Sequence, residues 1–428
     1  MENLYQLYKK SSGVSTDSRA IQKDSLFIAL KGENFDGNNY VKEAINDGAK
    51  YAITSDKNLS DDRTIFYVPN TLLFLQELAN HHRKQFDIPI IGITGSNGKT
   101  TTKELIAAVL SSTFNVLFTK GNLNNHIGVP LTLLNLNDSH EIAIIEMGAN
   151  KPGDIKELVE IAEPTHGIIT NIGRAHLEGF GSLEGVIRTK TELYEFVKHT
   201  NGKLFYNSED EILSQKIGNY SHTSTYSSEG NGIINGTLLA LTPFVEFSWS
   251  SPTFQSERIQ TQLVGKYNFY NFLAAVCIGV EFNVSNENIS KALQSYTPTN
   301  NRSQIEKTAT NTLILDAYNA NPTSVQSALD SFDIIENEHK TVILGDMLEL
   351  GKDSDAEHLK IIAYLSPKKW NKFLVGPLYK NLVQDSSFIA FDNTDELKLY
   401  LEHHPLTNQL ILIKGSRGIK LETVVQSL

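Results

Sequence analysis

The residues with the clearest chemical meaning lie in a short glycine-rich turn about a quarter of the way along the chain. An apolar run that ends at Ile93 leads into this turn, and a helix-forming segment follows from Lys103. Glycines let backbone N–H groups point toward an anion, the helix N-terminus adds partial positive charge, and Lys99 adds a full one. The Thr100 hydroxyl is placed to reach a magnesium ion. The pattern predicts a loop for a nucleoside triphosphate, formed by Thr94, Gly95, Ser96, Asn97, Gly98, Lys99, Thr100 and Thr101.

This turn is a shorter variant of the common pattern G-x-x-x-x-G-K-[ST], because Ile93 stands five positions before Gly98. An ordinary glycine turn between a strand and a helix is the alternative interpretation. The β-type run before the turn and the helix former after it favour the phosphate-binding interpretation.

Two further polar residues follow apolar strands of the same predicted sheet. Glu146 closes the apolar part of the run 141–148, and His176 follows the run 167–173. The carboxyl ends of neighbouring parallel strands converge on the crevice where such sheets bind ligands. A solvated glutamate and a structural histidine are the alternatives, and the nearby phosphate loop favours a pair of metal ligands.

The length of 428 residues predicts about three domains. We place them at 1–86, a small α/β unit, at 87–297, a nucleotide-binding α/β domain, and at 298–428, a second doubly wound α/β unit. Within the central domain, short alternating runs between 221 and 264 predict an antiparallel patch. The predicted fold class is therefore α/β with parallel sheets in three domains.

Composition limits the partners and the compartment. A formal net charge of -11 and a pI near 5.6 oppose binding to nucleic acid or to an anionic membrane. No apolar run approaches the ~20 residues of a membrane span. The only cysteine, Cys277, lies in an apolar run and is predicted to be a core residue, which fits a reducing cytoplasm.

Ten short segments, in chain order, carry a pattern that extends over nearly the whole chain. They are Ser15-Thr-Asp-Ser-Arg19 with Gly32-Glu-Asn-Phe-Asp-Gly37, Thr94 to Thr101, Gly121 to Pro130, Glu146 to Gly153, Asn171 to Gly181, Gly265 to Asn271, Asp316 to Pro322, Leu344 to Gly351 and Lys414 to Arg417. Together they resemble the Mur ligase family. The resemblance implies an N-terminal domain for a uridine diphosphate substrate, a central ATP-binding domain and a C-terminal Rossmann-like domain.

The resemblance also assigns roles that the residues alone leave open. It implies ATP and two Mg²⁺ ions, with Thr100, Glu146, His176 and Lys190 as metal ligands. By itself Lys190 would be interpreted as a solvated helix lysine, whereas the family pattern makes it a carbamylated, anionic ligand. The family's catalytic residues correspond to Lys99, Lys190, His176 and Lys414.

The remaining family contacts concern the nucleotide and the substrate. Those for ATP outside the loop correspond to Asn268, Asn271, Arg302, Asp316, Tyr318 and Asn319. Those for the substrate correspond to Thr16, Ser18, Arg19, Glu33, Asn34, Phe35 and Asn125. Two positions depart from the pattern: Tyr267 stands where the family often has His, and Asn301 where a Gly commonly precedes Arg302.

The function implied by the resemblance is ATP-dependent formation of an amide bond through an acyl phosphate. The expected substrates are UDP-MurNAc-tripeptide and D-Ala-D-Ala, joined by a monomer in the bacterial cytoplasm to give a peptidoglycan precursor. Another family member, one that adds a single amino acid or one that adds glutamate to folate, is the nearest alternative. The Asp-Asn-Pro-Arg motif of the amino-acid-adding relative is absent. A P-loop switch or motor that uses the nucleotide only to change shape is a second alternative, and the Asn-Lys-x-Asp motif of a GTP switch is also absent. A nucleotide-binding module without catalysis is a third alternative.

Overall fold

A computed structural model describes the chain at residues 1–61, 63–174, 177–299 and 302–428. His176 and Asn301 lie outside these described residues. The described part forms three sheets, one in each of three successive regions of the chain. The predicted fold class, α/β with three domains, is confirmed. Among the described residues, no helix combines the length and the apolar character that crossing a membrane requires.

The N-terminal domain is a small parallel sheet with three α-helices around it. Its strands are β1 (Val14–Ser15), β2 (Leu26–Ile28), β3 (Tyr51–Thr54) and β4 (Ile65–Tyr67), paired in that order. Its helices are α1 (Glu2–Lys9), α2 (Val41–Asn46) and α3 (Thr71–Arg83). Asn70 caps α3, because its side chain accepts hydrogen bonds from Leu72 N and Leu73 N.

The central domain contains a ten-stranded sheet. Its strands are β5 (Ile90–Thr94), β6 (Val116–Phe118), β7 (Ile142–Glu146), β8 (His166–Ile169), β9 (Lys203–Asn207), β10 (Thr223–Ser227), β11 (Ile234–Ala240), β12 (Glu246–Ser251), β13 (Phe254–Gln255) and β14 (Ile259–Gln260). The order is β13-β12-β11-β10-β9-β8-β5-β7-β6, with β14 paired to β12. Every residue of β5 and β7 is buried, as expected for parallel strands covered on both faces.

The antiparallel patch predicted for 221–264 starts later than expected. β10 pairs in parallel with both β9 and β11, and antiparallel pairing begins between β11 and β12. Alternation of polar and apolar residues reports that a strand is half-buried, which does not reveal its direction.

Helices cover the central sheet on both faces. They are α4 (Lys99–Leu110), α5 (Gly128–Leu133), α6 (Asp154–Ala162), α7 (Leu177–Phe180), α8 (Leu183–His199), α9 (Glu211–Ile217), α10 (Tyr267–Glu281) and α11 (Asn286–Ser295). α4 packs closely against α10, which sets the start of α10 beside the phosphate loop. Cys277 of α10 is buried in this core, as predicted.

The C-terminal domain is a six-stranded sheet in the order β15-β16-β20-β17-β18-β19. Its strands are β15 (Gln304–Lys307), β16 (Thr312–Leu315), β17 (Lys340–Gly345), β18 (Asn371–Val375), β19 (Ile389–Phe391) and β20 (Leu410–Lys414). Only the pairing of β15 with β16 is antiparallel among the described pairs. Its helices are α12 (Pro322–Asp333), α13 (Ser354–Leu365), α14 (Pro377–Leu382) and α15 (Thr394–His403).

Short 3-10 helices complete the described elements. They lie at Ser18–Ala20, Gly37–Tyr40, Lys57–Leu59, Gly351–Asp353, Arg417–Ile419 and Leu421–Ser427.

The N-terminal and central domains share one continuous hydrophobic core, which runs from α1 and α3 into α5 and α6. Two hydrogen bonds also connect these domains: Tyr8 Oη donates to Leu134 O at 2.6 Å, and Arg83 Nε donates to Ala162 O at 3.0 Å. Most of the apolar residues of the C-terminal domain belong to separate clusters. The first two domains therefore form one packed body.

Candidate active site

A large cleft of about 840 Å³ lies between the central and C-terminal domains. Its walls include the loop between β5 and α4, the end of β7, the start of α10, the segment after β16 and the end of β20. A volume of this size is in the range of pockets that hold cofactor-sized ligands. Most of the segments predicted to carry the chemistry thus surround one space, whereas Lys190 of α8 is not among the described residues that line it.

Two glycines of the phosphate loop are required by close contacts. Gly98 is the N-cap of α4 with a φ of 78°, and a Cβ there would lie 2.7 Å from Asn271 Oδ1. At Gly95, with a φ of 149°, a Cβ would overlap Thr170 Oγ1. Because both dihedral angles favour glycine, a larger residue at either position would displace the loop from the start of α4.

Lys99 is the first residue of α4, and its ammonium group folds back over the loop. Nζ donates hydrogen bonds to Gly95 O at 2.7 Å and to Ser96 O at 3.4 Å. Burial lowers the pKa of Lys99 to about 8; Glu146 opposes this shift and Arg302 adds to it. A bound phosphate would favour the charged form again.

Glu146 ends β7 at the floor of the cleft and is 1% exposed. Its Oε1 accepts hydrogen bonds from Thr100 Oγ1 at 3.1 Å and from Asn124 Nδ2 at 2.8 Å. Its Oε2 has no hydrogen-bond partner among the described residues. A buried carboxylate oxygen that accepts no hydrogen bond, in a carboxylate that contacts a threonine hydroxyl, is a suitable ligand for Mg²⁺, so the residues present fit a metal ion.

Lys103 lies one helical turn after Lys99 and is fully buried behind Glu146. Its Nζ is 3.7 Å from Glu146 Oε2 and 3.7 Å from Glu104 Oε1. Because a buried charge requires a compensating one, Lys103 acts as the counter-charge of these carboxylates. Sequence reasoning missed Lys103 and also Asn124. A lysine next to a glutamate on a helix is usually exposed, so the sequence carried no signal for its burial.

Lys190 lies in the middle of α8 and is 1% exposed. Its Nζ is 5.8 Å from the centre of the Phe180 ring. Burial, assisted by the positive charge of Lys99, holds the pKa of Lys190 well below its usual range. The interpretation as a solvated helix lysine is therefore wrong, and its role as a metal ligand together with His176 stays a prediction.

The two asparagines predicted to contact adenine are buried at the start of α10. Asn268 Nδ2 donates to Val264 O at 2.7 Å, and Asn271 Nδ2 donates to Asn268 Oδ1 at 2.8 Å. Asn271 Oδ1 also accepts from Thr102 Oγ1 at 3.1 Å. Both residues line the cleft, and Asn271 contacts the first turn of the helix that follows the phosphate loop. Their contact with adenine stays a prediction.

An arginine and an aromatic ring form the opposite wall. The Arg302 guanidinium carbon is 3.7 Å from the centre of the Tyr318 ring, and Arg302 Nε has no hydrogen-bond partner among the described residues. Tyr267, which departs from the family pattern, pairs its hydroxyl with Ser303 Oγ at 2.7 Å. The tyrosine thus connects the start of α10 to the segment that carries Arg302.

Lys414 reaches the cleft from the end of β20. Its Nζ donates to Asp316 Oδ2 at 2.6 Å and to Asn319 O at 3.2 Å. Lys414 is only 2% exposed and lines the cleft together with Asp316, Tyr318 and Asn319. The structure therefore brings these four predicted residues to the same space as Lys99.

The residues predicted for the substrate divide into two groups. Asn125 lines the cleft, where its Oδ1 accepts from Gly128 N at 2.9 Å. The others lie on the N-terminal domain, outside the residues that line this cleft. Among them, Arg19 has a side chain that is 87% exposed and pairs with Asp17 at 2.7 Å.

No group of three histidine, cysteine, aspartate or glutamate side chains converges within the part of the chain that the structure describes. Magnesium sites in phosphate-transferring proteins commonly use one or two carboxylates and take further ligands from phosphate and water. A cleft with Glu146 and Thr100 beside the phosphate loop agrees with that kind of site.

The chain matches three family models in succession. They are described as Mur ligase family, catalytic domain, at residues 10–83, Mur ligase middle domain at residues 93–279, and Mur ligase, glutamate ligase domain, at residues 301–417.

Relatives match over nearly the full length. The UDP-N-acetylmuramoyl-tripeptide–D-alanyl-D-alanine ligase of Bacillus subtilis (strain 168) is 36% identical, over 97% of this chain and 93% of the relative. The enzyme of the same name from Escherichia coli (strain K12) is 32% identical, over 97% and 93%.

Among solved structures, MurF from Acinetobacter baumannii superposes with a TM-score of 0.90 at 30% identity, covering 100% of this chain and 98% of that one. The MurF ligase of Thermotoga maritima in complex with ADP superposes with a TM-score of 0.87 at 26% identity, covering 100% and 98%. The three domains, the phosphate loop in the cleft between the second and third of them, and this full-length similarity establish that the chain belongs to the Mur ligase family.

Proposed function

We propose that the protein is an ATP-dependent ligase that joins D-Ala-D-Ala to UDP-MurNAc-tripeptide, giving the pentapeptide precursor of peptidoglycan. One observation carries this proposal: a phosphate loop, a buried carboxylate and cationic side chains of another domain line a single cleft. The names of relatives that match nearly the whole chain supply the substrates.

The first step requires activation, because a free carboxylate is a poor acyl donor. A carboxylate oxygen of the tripeptide attacks the γ-phosphorus of ATP, the bond to the bridging oxygen breaks, and ADP leaves. Two anions approach each other in this step. Lys99 and Lys414 supply positive charge from opposite sides of the cleft, and Arg302 adds more.

Magnesium ions, when bound, would screen the phosphate charges and stabilise the charge that develops on the transferred group. Thr100 and Glu146 would hold one ion. His176 and a carbamylated Lys190 complete the proposed ligand set for two. Burial lowers the pKa of Lys190, which favours the neutral amine that reacts with CO₂, and this supports carbamylation.

In the second step the free amine of D-Ala-D-Ala attacks the acyl carbon. The new C–N bond forms, inorganic phosphate leaves, and the amine gives up a proton. Water would hydrolyse the acyl phosphate, so the cleft must exclude it. The C-terminal domain covers the phosphate loop in this structure, which supports such protection.

The uridine diphosphate is proposed to bind the N-terminal domain, through Thr16, Ser18, Arg19 and the turn Glu33, Asn34, Phe35. We also propose that the domain boundaries lie near residues 86 and 297, where the three matched family models leave gaps. The chain is proposed to act as a monomer in a reducing cytoplasm, in keeping with its single buried cysteine.

Phosphate release tests the function directly. The purified chain is incubated with ATP, Mg²⁺, UDP-MurNAc-tripeptide and D-Ala-D-Ala, and each component is omitted in turn. We expect sustained phosphate release only in the complete mixture, with a pentapeptide product detected by mass spectrometry.

Two substitutions of substrate test the nearest alternative. In one reaction UDP-MurNAc-dipeptide and a free diamino acid replace the expected pair, and in the other a folate and glutamate replace it. Turnover with either set, and none with D-Ala-D-Ala, would refute the proposed specificity while leaving the ligase chemistry intact.

A further inference from the structure

One hydrogen bond between the central and C-terminal domains reaches the phosphate loop itself. Asn321 Nδ2 donates to Asn97 Oδ1 at 2.8 Å. Asn97 directly precedes Gly98 in the loop, and Asn321 is the N-cap of α12. The bond therefore joins the segment that would hold ATP to the first turn of a helix in the covering domain.

The oxygen and the nitrogen of the Asn321 side-chain amide form hydrogen bonds with different partners. Its Oδ1 accepts from Ser324 N at 2.9 Å, and its backbone N–H donates to Ser324 Oγ at 3.0 Å, which forms a capping box. Because the oxygen is committed to the helix, the NH₂ group is the one that faces Asn97. The cap thus determines which group is offered to the phosphate loop.

Asn97 is held from the opposite side by its backbone. Its N–H donates to Asn171 Oδ1 at 3.0 Å, and its carbonyl accepts from Thr170 Oγ1 at 2.6 Å and from Asn171 Nδ2 at 3.0 Å. These bonds leave the side chain of Asn97 free to contact α12. A second close approach supports the same docking, because a Cβ at Gly173 would lie 3.3 Å from Thr323 Oγ1.

The docked segment also carries the contacts of Lys414. Asn319, two residues before Asn321, accepts a hydrogen bond from Lys414 Nζ through its carbonyl, and Asp316 pairs with the same ammonium group. A contact that fixes Asn321 therefore also restricts the position of Lys414 relative to the phosphate loop.

We propose that Asn321 is a positioning residue that holds the C-terminal domain on the phosphate loop, so that Lys414 lies over the bound phosphates. This inference rests on the ligase function proposed above. Asn321 need not touch the reacting atoms, since it acts through the placement of its domain.

The test compares the same substitution at two helix caps. Asn321→Ser keeps a capping oxygen but is too short to reach Asn97, and serine is a good N-cap. Asn393→Ser is the matched control, because Asn393 caps α15 of the same domain through Glu396 N at 3.0 Å. We expect both variants to have similar melting temperatures. Only Asn321→Ser should lower kcat/KM for ATP, by about two- to tenfold, as for loss of one neutral hydrogen bond.

A double-mutant cycle separates positioning from general damage. Asn97→Ala removes the acceptor and keeps the backbone bonds of the loop, and it tests the contact even if Asn321→Ser folds poorly. If the two side chains act through one bond, the double variant should be no slower than the slower single variant. The proposal would be overturned if the losses of kcat/KM were additive in the double variant, or if Asn393→Ser lost as much kcat/KM as Asn321→Ser. Absence of phosphate release by the unmodified chain would instead contradict the proposed function.

Discussion

The two ends of the proposed substrate path differ in how far they are assembled before any ligand binds. At the phosphate end, Glu146, Lys103 and Lys190 are almost completely buried, and Glu146 already accepts two hydrogen bonds. At the uridine end, the side chains of Arg19 and Phe35 project into solvent, with Phe35 55% exposed. The proposed catalytic end is thus buried and hydrogen-bonded, whereas the proposed recognition end is exposed to solvent.

This difference has an energetic meaning. Groups that stabilise a transition state must be held in place beforehand, because reorganising them during the reaction would add to the barrier. Groups that only recognise a substrate can be ordered by it, at the expense of part of the binding energy. Substitutions at the phosphate end should therefore alter stability and turnover, whereas those at the uridine end should alter affinity alone.

The largest effect should follow from removing the buried counter-charge. Lys103→Met removes the buried ammonium group that lies 3.7 Å from a carboxylate oxygen of Glu146 and of Glu104, and we expect a loss of about 3–5 kcal/mol in the free energy of unfolding. Urea denaturation measures it. Added Mg²⁺ should stabilise this variant more than the unmodified protein, because the site carries one positive charge fewer.

Lys120→Met is the matched control for Lys103. Its Nζ lies 3.4 Å from the centre of the Phe118 ring, the same ring that Lys103 approaches at 5.9 Å, but Lys120 is exposed. We expect Lys120→Met to lose much less free energy of unfolding than Lys103→Met. Similar losses in the two variants would show that the burial of Lys103 does not determine its effect.

Lys190→Ala should lower kcat by about 10²–10³-fold, the usual cost of removing one group that stabilises transferred charge. Phosphate-release kinetics measure this loss. Nuclear magnetic resonance with isotopically labelled bicarbonate should detect a carbamate in the unmodified protein and none in the variant. Lys198→Ala on the same helix, whose Nζ contacts Lys216 O at the surface, should remain fully active. A fully active Lys190→Ala would exclude the proposed ligand role.

An intermediate effect concerns pH and Lys99. Its pKa of about 8 lies below the ordinary lysine value, and bound phosphate favours the ammonium form, so binding takes up a proton above pH 8. ADP affinity should fall as pH rises through 8, by about tenfold from pH 7 to 9. Isothermal titration in buffers of different ionisation heat measures affinity and proton uptake together. Lys99→Arg should show neither trend. An ADP affinity of the unmodified protein that stays constant from pH 7 to 9 would contradict this prediction.

The smallest effect belongs to the uridine end. Arg19→Ala removes an exposed ion pair with Asp17, so the melting temperature should not change measurably. The KM for UDP-MurNAc-tripeptide should rise about two- to fivefold, as for one solvent-exposed charge contact, with kcat unchanged. Lys50→Ala, which removes an exposed ammonium group that donates to Lys10 O at 2.8 Å, is the control for charge loss on this domain. A fall in kcat for Arg19→Ala would show that substitutions in the N-terminal domain alter turnover as well as affinity, which contradicts the contrast drawn above.

Features that depend on local sequence could be predicted, and those that depend on distant packing could not. The phosphate loop lies between β5 and α4 as expected, because a glycine turn followed by a helix is determined over a few residues. Glu146 reaches the cleft because the ends of parallel strands meet at one edge. The burial of Lys103 and the contact between Asn97 and Asn321 arise from packing between segments far apart in sequence. The role of Lys190 came only from the family resemblance and stays a prediction.

The continuous core that joins the first two domains has a consequence for substrate length. If the uridine diphosphate is anchored on the N-terminal domain, its distance from the phosphate loop is fixed, and the protein acts as a molecular ruler. A precursor one residue short would leave its terminal carboxylate about 3.5 Å from where it must react. Shorter intermediates would then occupy the anchor without reacting, so the same rigidity would turn them into competitive inhibitors.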